Sequence, residues 1–261
     1  MNKKTGIMAL VAAMGVTGMG FAAPMTNFEK GKVAIDFDYS MNTEWSGSAE
    51  ANGIPASAVK SVSTSAFPTI SGVDAWNAAA TVGVNNKIAI KAGYNKQNLG
   101  SVHFSSGDEE SPKSTNIGLD EQIFNADVLY KYNKNVTPYI GWGHGKLKAD
   151  ISGSAIPAGL IAKDNVTNNF IKVGFIAQAP ITEKVTAWTD LAIGTKSYQK
   201  MELGLGYQFS QNLDFNVGYR YHQLKYEANF NEFTPSGVDV PGNAELKMKT
   251  KGWFVGATYK I

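Results

Sequence analysis

From residue 33 onward, apolar and polar positions alternate with a period of two. Val33, Ile35, Phe37, Tyr39 and Met41 are separated by Ala34, Asp36, Asp38, Ser40 and Asn42. A helix would scatter these residues around its circumference, whereas a strand sorts them onto two faces. The pattern recurs at Trp76, Ala78, Ala80, Val82 and Val84, and again at Ile88, Ile90, Ala92 and Tyr94 after the short Asn85-Asn86-Lys87 link. Seven further segments, near 124–132, 136–142, 171–177, 185–193, 201–209, 213–221 and 253–261, alternate in the same way. The links near 85, 134, 182 and 211 are short, while 43–73, 96–121, 149–167 and 223–247 are long and rich in Gly, Ser, Asn and Pro. The short link at 194–197 is the one exception. Short turns on one side and long loops on the other predict an all-β fold, a single antiparallel transmembrane β-barrel. The expected strand number is ten, with eight as the alternative. The first strand should pair with the last, and both termini should lie on the short-turn, periplasmic side.

Composition narrows the picture. The chain has 261 residues, no Cys, three His and a net charge of +2. Disulfide scaffolds, thiolate metal sites and a catalytic thiol are excluded. The near-neutral balance gives no reason to expect nucleic acid as a partner. Asn2, Lys3 and Lys4 followed by an apolar run to Val16 and by Gly20-Phe21-Ala22 read as a signal peptide over 1–22, leaving 23–261 as the barrel domain. No later apolar run is long enough for a spanning helix, but barrel strands need only about 9–11 residues each.

The two strand faces differ in chemistry. On the apolar face, aromatic residues gather at both ends of the strands. Tyr130, Tyr132, Tyr207, Phe209, Phe215 and Tyr259 lie near the short turns, and Tyr39, Trp76, Tyr94, Trp142, Tyr219 and Trp253 toward the long loops. Two such belts fit the two membrane interfaces. The opposite face carries Asp36, Asp38, Asp127, Asp190, Glu202 and Asp214 against Lys91, Lys131, Lys172, Lys200, Arg220 and Lys260. Glycines are interleaved with them and make room for long side chains. Six acids and six bases facing a narrow lumen should pair, because unpaired buried charge is costly. Lys91, Lys131, Lys172 and Arg220 are each expected to reach a carboxylate.

Thr137-Pro138-Tyr139-Ile140-Gly141-Trp142-Gly143 and the closing Val255-Gly256-Ala257-Thr258-Tyr259-Lys260-Ile261 resemble segments of small bacterial outer-membrane barrels, the broad family that includes OmpA-like and OmpX-like barrel domains. The resemblance implies residence in the bacterial outer membrane, contact with its lipids, and insertion by the barrel-assembly machinery, which reads a C-terminal strand signal. That signal usually ends in Phe, and Ile261 departs from it. Ten strands is also the count of the omptin proteases, which use an Asp pair and an Asp–His pair. Asp36 and Asp38 have the spacing of the first pair, but His222 follows Arg220 where an acid is wanted. None of His103, His144 and His222 forms with a Ser two residues away the convincing pair that a deacylase would need. Asp108-Glu109-Glu110 lack the spacing of a calcium loop. No catalytic residue, metal ligand or cofactor is therefore expected. His144 should face outward and His222 should join lumen hydrogen bonds. The expected function is a passive, narrow porin-like channel or a structural barrel with a charged lumen. The alternative is a surface-interaction protein that uses its long loops to bind a ligand, with the 149–167 segment as one candidate.

Overall fold

In the computed structural model the described residues are 24, 26, 28–52, 70–106, 113–153, 162–229 and 243–261. The signal peptide, the acidic triplet at 108–110 and the apolar loop residues at 156–161 lie outside them. Ten strands form one closed antiparallel ring: β1 (Val33–Asn52), β2 (Ile70–Gly83), β3 (Ile88–Ser106), β4 (Lys113–Tyr130), β5 (Val136–Gly153), β6 (Ala162–Pro180), β7 (Val185–Gly194), β8 (Gln199–Gln208), β9 (Leu213–Asn229) and β10 (Asn243–Lys260). The ring closes as β1 pairs with β10. Val33 N–H donates to Ile261 C=O at 3.0 Å, and Ile261 N–H to Val33 C=O at 2.8 Å.

The four short turns share one construction. Each begins with an outward apolar residue, Val84, Tyr132, Ile181 or Phe209, whose N–H donates to the carbonyl four residues on. The next residue, Asn85, Asn133, Thr182 or Ser210, accepts two backbone N–H groups on its side-chain oxygen. Asn, Ser and Thr suit this position because a short side chain can replace the backbone in closing the turn.

Alternation is kept along most of each strand, with register shifts in β1, in β2 opposite Thr43 to Trp45, and in β3 between Asn98 and Ser101. A bulge between Met41 and Glu44 in β1 shifts the phase, so that Trp45 becomes a fully buried lumen residue. An extra residue on one strand does this because side-chain direction has a period of two.

The long connections are a correction to the expectation from sequence. Most of the residues in 43–73, 96–121, 149–167 and 223–247 continue as strand, so that β1, β3, β4, β5, β6, β9 and β10 run 17 to 20 residues. A span needs about half that. By contrast, β7 and β8 have 10 residues each. Above their hairpin, β6 and β9 are tied directly. Asn168 Nδ2 donates to Lys225 C=O at 2.6 Å, and Lys225 N–H donates to Lys196 C=O in the hairpin at 2.9 Å. Above the β7–β8 hairpin, β6 and β9 therefore come together by these bonds, without a backbone ladder between them among the described residues.

Candidate functional site: the filled lumen

The outer surface fixes where the membrane lies. Ile90, Val128, Ile140, Ile171, Val173, Leu203 and Val217 are each about half exposed, pointing away from the barrel all round its circumference. The two aromatic belts bound this band. Toward the upper end Trp76 packs against Tyr94 at 5.3 Å and Tyr219 against Trp253 at 5.5 Å; toward the short turns Phe209 packs against Phe215 at 5.5 Å. Contiguous apolar surface on this scale, with charge inside, is stable only against lipid.

Inside, the structure brings most of the expected charges into one network. Arg220 binds both oxygens of Asp38 at 2.9 Å and also donates Nε–H to Glu202. Lys200 joins Glu202 at 3.1 Å to Asp190 at 2.6 Å, and Asp190 accepts the Tyr139 hydroxyl at 2.7 Å. Lys172 lies 3.0 Å from Asp127 and donates to Asn125. Asn77 donates to the Asp38 carboxylate at 3.0 Å. Nearer the base, Lys260 binds Asp214, and the Thr258 hydroxyl donates to Asp36 at 2.6 Å. The bidentate Arg–carboxylate geometry is the strongest form of such a pair. The ring face of Phe254, 4.7 Å from the guanidinium, covers it.

One of the four bases expected to reach a carboxylate, Lys91, is placed differently. Lys91 stands opposite Asp127 in the β3–β4 register, but that carboxylate is engaged by Lys172. Lys91 instead lines a remaining lumen cavity of about 90 Å³, together with Asp36, Asn125 and Asn216. That is room for a handful of waters. Lys131 falls one residue beyond β4, at the periplasmic rim, where its N–H donates to Lys87 C=O at 2.7 Å. It is half-buried there, on the same parity as Asp127 and Leu129.

The lumen also holds residues that the polar-interior reading did not include. Below the network, Phe28 is buried just before β1. The segment around it is held in the periplasmic mouth by Gly31 N–H to Gly83 C=O and Gly83 N–H to Lys32 C=O, both 2.9 Å. Above it, Phe170 stacks on Tyr198 at 4.4 Å, with Leu147, Leu224, Tyr226 and Met248 in the same buried cluster. Trp188 packs on Phe254 at 5.9 Å. The lumen glycines are where these rings fit. A Cβ at Gly143 would sit 2.1 Å from the Phe170 ring, at Gly204 2.6 Å from Trp188, and at Gly218 2.7 Å from Phe254. Glu121, in the segment expected to be loop, is wholly buried and accepts the Tyr226 hydroxyl at 2.8 Å. His222 faces the same cluster, with Nδ1 4.0 Å from Glu121. His144 faces outward, stacked on Trp142 and bonded to Asn169 at 3.0 Å. Apart from Phe28 and Tyr198, which precede their strands, these positions follow from counting by two along each strand. The missing signal was that the inward parity continues, now apolar, into the long connections.

Together these features define the chain as an integral β-barrel of the bacterial outer-membrane class. One solved structure of that class shares its fold, and others are similar to it. The outer membrane protease OmpT from Escherichia coli matches with a TM-score of 0.50 at 10% identity, over 88% of this chain and 97% of that one. Ail, the attachment invasion locus protein of Yersinia pestis, matches with a TM-score of 0.38 at 13% identity, over 89% of this chain and 99% of that one. The translocator domain of the autotransporter NalP from Neisseria meningitidis matches with a TM-score of 0.45 at 10% identity, over 98% of this chain and 92% of that one. No protein-family model matches the chain, and no curated protein is similar to it in sequence.

Proposed function

We propose that the protein is a non-enzymatic structural barrel of the outer membrane. Its lumen is a closed, charge-paired core, and its long strands raise an interaction surface above the outer leaflet. The observation that carries this reading is that side chains occupy the lumen along its length. Phe28 lies at the base, the Asp38–Arg220–Glu202–Lys200–Asp190 chain in the middle and the Phe170–Tyr198 stack above. An eight-stranded interior is about as wide as its side chains can fill, and a ten-stranded one is only a little wider. The non-enzymatic part is supported by Asp38: a carboxylate clamped on both oxygens by Arg220 is not available as a base. The surface role is supported by strands that continue past the upper aromatic belt. Planar-bilayer recording of the purified protein tests the reading. The expected result is no stepwise conductance, and Phe28→Ala should remain silent because the upper ring stack stays in place. Steady conductance steps from the wild-type protein would overturn it in favour of a passive, narrow channel.

A further inference from the structure

The chain enters the lumen before it enters the wall. Thr26 and Phe28 are buried, and Pro24 lines the lumen cavity together with Asp36 and Asn216. Between this stretch and β1 the chain reverses. Lys32 N–H donates to Glu29 C=O at 3.1 Å, and Gly31 has a φ of 83°, the positive value that a type II turn places at its third residue. Pro24, Thr26 and Phe28 therefore lie inside the ring, on a stretch that leads inward from the periplasmic mouth.

The cavity that Pro24 reaches holds a carboxylate without a cation. Asp38, Asp127, Asp190, Glu202 and Asp214 each have a Lys or Arg within 4.0 Å. Among the described residues Asp36 has none. One of its oxygens accepts the Thr258 hydroxyl at 2.6 Å, while Oδ2 is buried with no hydrogen-bond partner. Lys260 is held by Asp214, and Lys91 lines the cavity from β3 without closing on Asp36. A buried carboxylate oxygen left open calls for a donor, and a charged donor binds it most strongly.

We propose that signal cleavage creates the missing cation: the α-ammonium of Ala23 enters the lumen cavity, pairs with Asp36 Oδ2 and fastens the stretch that carries Thr26 and Phe28 as a plug. Hydrolysis of the Ala22–Ala23 peptide bond takes up one water. Its hydroxyl completes the Ala22 carboxyl group and its hydrogen the Ala23 amine, which is then protonated near neutral pH. That nitrogen is one residue from Pro24, about 3.8 Å between Cα atoms. A terminal amine fits a cavity of about 90 Å³; the twenty-two residues of an uncleaved leader would not. The inference rests on the signal-peptide reading and is independent of whether the lumen conducts.

The test starts from the barrel extracted from the outer membrane of an expressing bacterium. Its intact mass should correspond to a chain that begins at Ala23. In the folded barrel the α-amine should react with acetic anhydride at least about tenfold more slowly than in the urea-unfolded chain, both near neutral pH, where lysines stay protonated. Acetylating the unfolded chain under the same conditions and refolding it into vesicles removes the charge. Urea titration should then show the folding equilibrium constant lowered at least about tenfold, the worth of a hydrogen bond to a charged group. In Asp36→Asn the same acetylation should change it by less than about twofold. In Glu29→Gln, which removes an acid paired with Lys32 at the rim, acetylation should cost as much as in the wild type. A chain that keeps residues 1–22 or begins elsewhere, an α-amine equally reactive folded and unfolded, or an equal cost of acetylation in wild type and Asp36→Asn would each overturn the proposal. Should Asp36→Asn not refold, the wild type still decides, because acetylation without cost means that no pair exists.

Discussion

Strand β9 exchanges its faces partway along its length. In its lower part Val217 and Tyr219 point out to lipid, while Asn216 and Arg220 point in. In its upper part Gln223 lies in the wall, Lys225 and Glu227 point out, and Leu224 and Tyr226 are wholly buried inside. β10 does the same. Trp253 and Val255 face out below, whereas above them the exposed Lys251 lies on the outer face and Met248 is buried. The two regions share strands, hydrogen-bond ladders and side-chain period. They differ in what surrounds them. Where acyl chains lie outside, apolar residues gain nothing by turning inward, and the interior can hold charges that neutralise one another beside rings such as Phe254 and Trp188. Where water lies outside, the hydrophobic effect returns and the interior is apolar. The molecule is a membrane barrel continuous with a water-soluble one, and the change occurs within one or two residues of the upper aromatic belt.

The largest expected effect comes from breaking the charge pairing of the lower part. Arg220→Met keeps the bulk but leaves Asp38 and Glu202 without their shared guanidinium. Removing one partner of a buried pair costs about 3–5 kcal/mol. Adding Asp38→Asn to that variant should recover part of the loss, because the stranded charge is gone. Leu224→Met, in the upper part of the same strand, should cost less than about 1.5 kcal/mol, since it conserves apolar volume. Urea titrations in lipid vesicles, read by tryptophan fluorescence, would measure all three. Equal costs for Arg220→Met and Leu224→Met would mean that the two interiors are not built on different physics.

A smaller effect separates the two exteriors. Val217→Arg places a cation among acyl chains and should cost roughly 2–4 kcal/mol near the bilayer midplane. Lys225→Arg, on the same strand and outer face but above the belt, should stay within about 0.5 kcal/mol of wild type. Asn216→Arg, facing the lumen, should be tolerated better than Val217→Arg. The folded fraction on unheated gels reports each. A large loss from Lys225→Arg would move the membrane boundary upward and remove the contrast between the two regions.

Much of the lower region could be read from the chain. The ten strands, the ring closure, the aromatic belts and the inward acids all follow from apolar-out alternation. The upper region alternates as strictly, but in opposite phase. Lys146-Leu147-Lys148, Gln223-Leu224-Lys225-Tyr226-Glu227 and Lys247-Met248-Lys249 are strand patterns with the apolar residue inside. Their polar majority, set among Gly, Ser and Asn, resembles loop composition. The bulge after Met41 could not be anticipated, because it changes phase without any Gly or Pro to mark it, and so Trp45 was not assigned to the interior. The network partners were a different case. Parity says which side chains face the lumen, but not which of several cations reaches a given carboxylate. Asp127 stands opposite Lys91 and yet binds Lys172 from β6, because Gly141, which lies between Asp127 and Lys172 in one register row, has no side chain to keep them apart.

The smallest predicted effect lies where the two short strands end. The β7–β8 hairpin turns through Thr195-Lys196-Ser197-Tyr198, with Tyr198 N–H donating to Thr195 C=O at 3.1 Å. Both central residues have positive φ, 55° at Lys196 and 52° at Ser197. This is the type I′ conformation that suits the twist of a hairpin but favours Asn and Gly over side chains such as these. The turn is held from outside itself. Gln223 Nε2 donates to Ser197 C=O at 2.9 Å, Lys225 N–H to Lys196 C=O, and the Lys196 ammonium meets Glu227 at 2.6 Å. Every one of these contacts comes from β9, in the upper region. The soluble part of the barrel therefore holds a tight turn at the top of the two short strands. Ser197→Gly should stabilise the protein by roughly 1 kcal/mol, the left-handed cost of one non-glycine residue, and Ser197→Ala should change it little. The same gain should persist in a Gln223→Ala background, where the turn has lost one of its ties. If Ser197→Gly instead destabilises the barrel in vesicle titrations, the Ser197 side chain itself contributes to the junction, and the upper region does not hold the turn through backbone contacts alone.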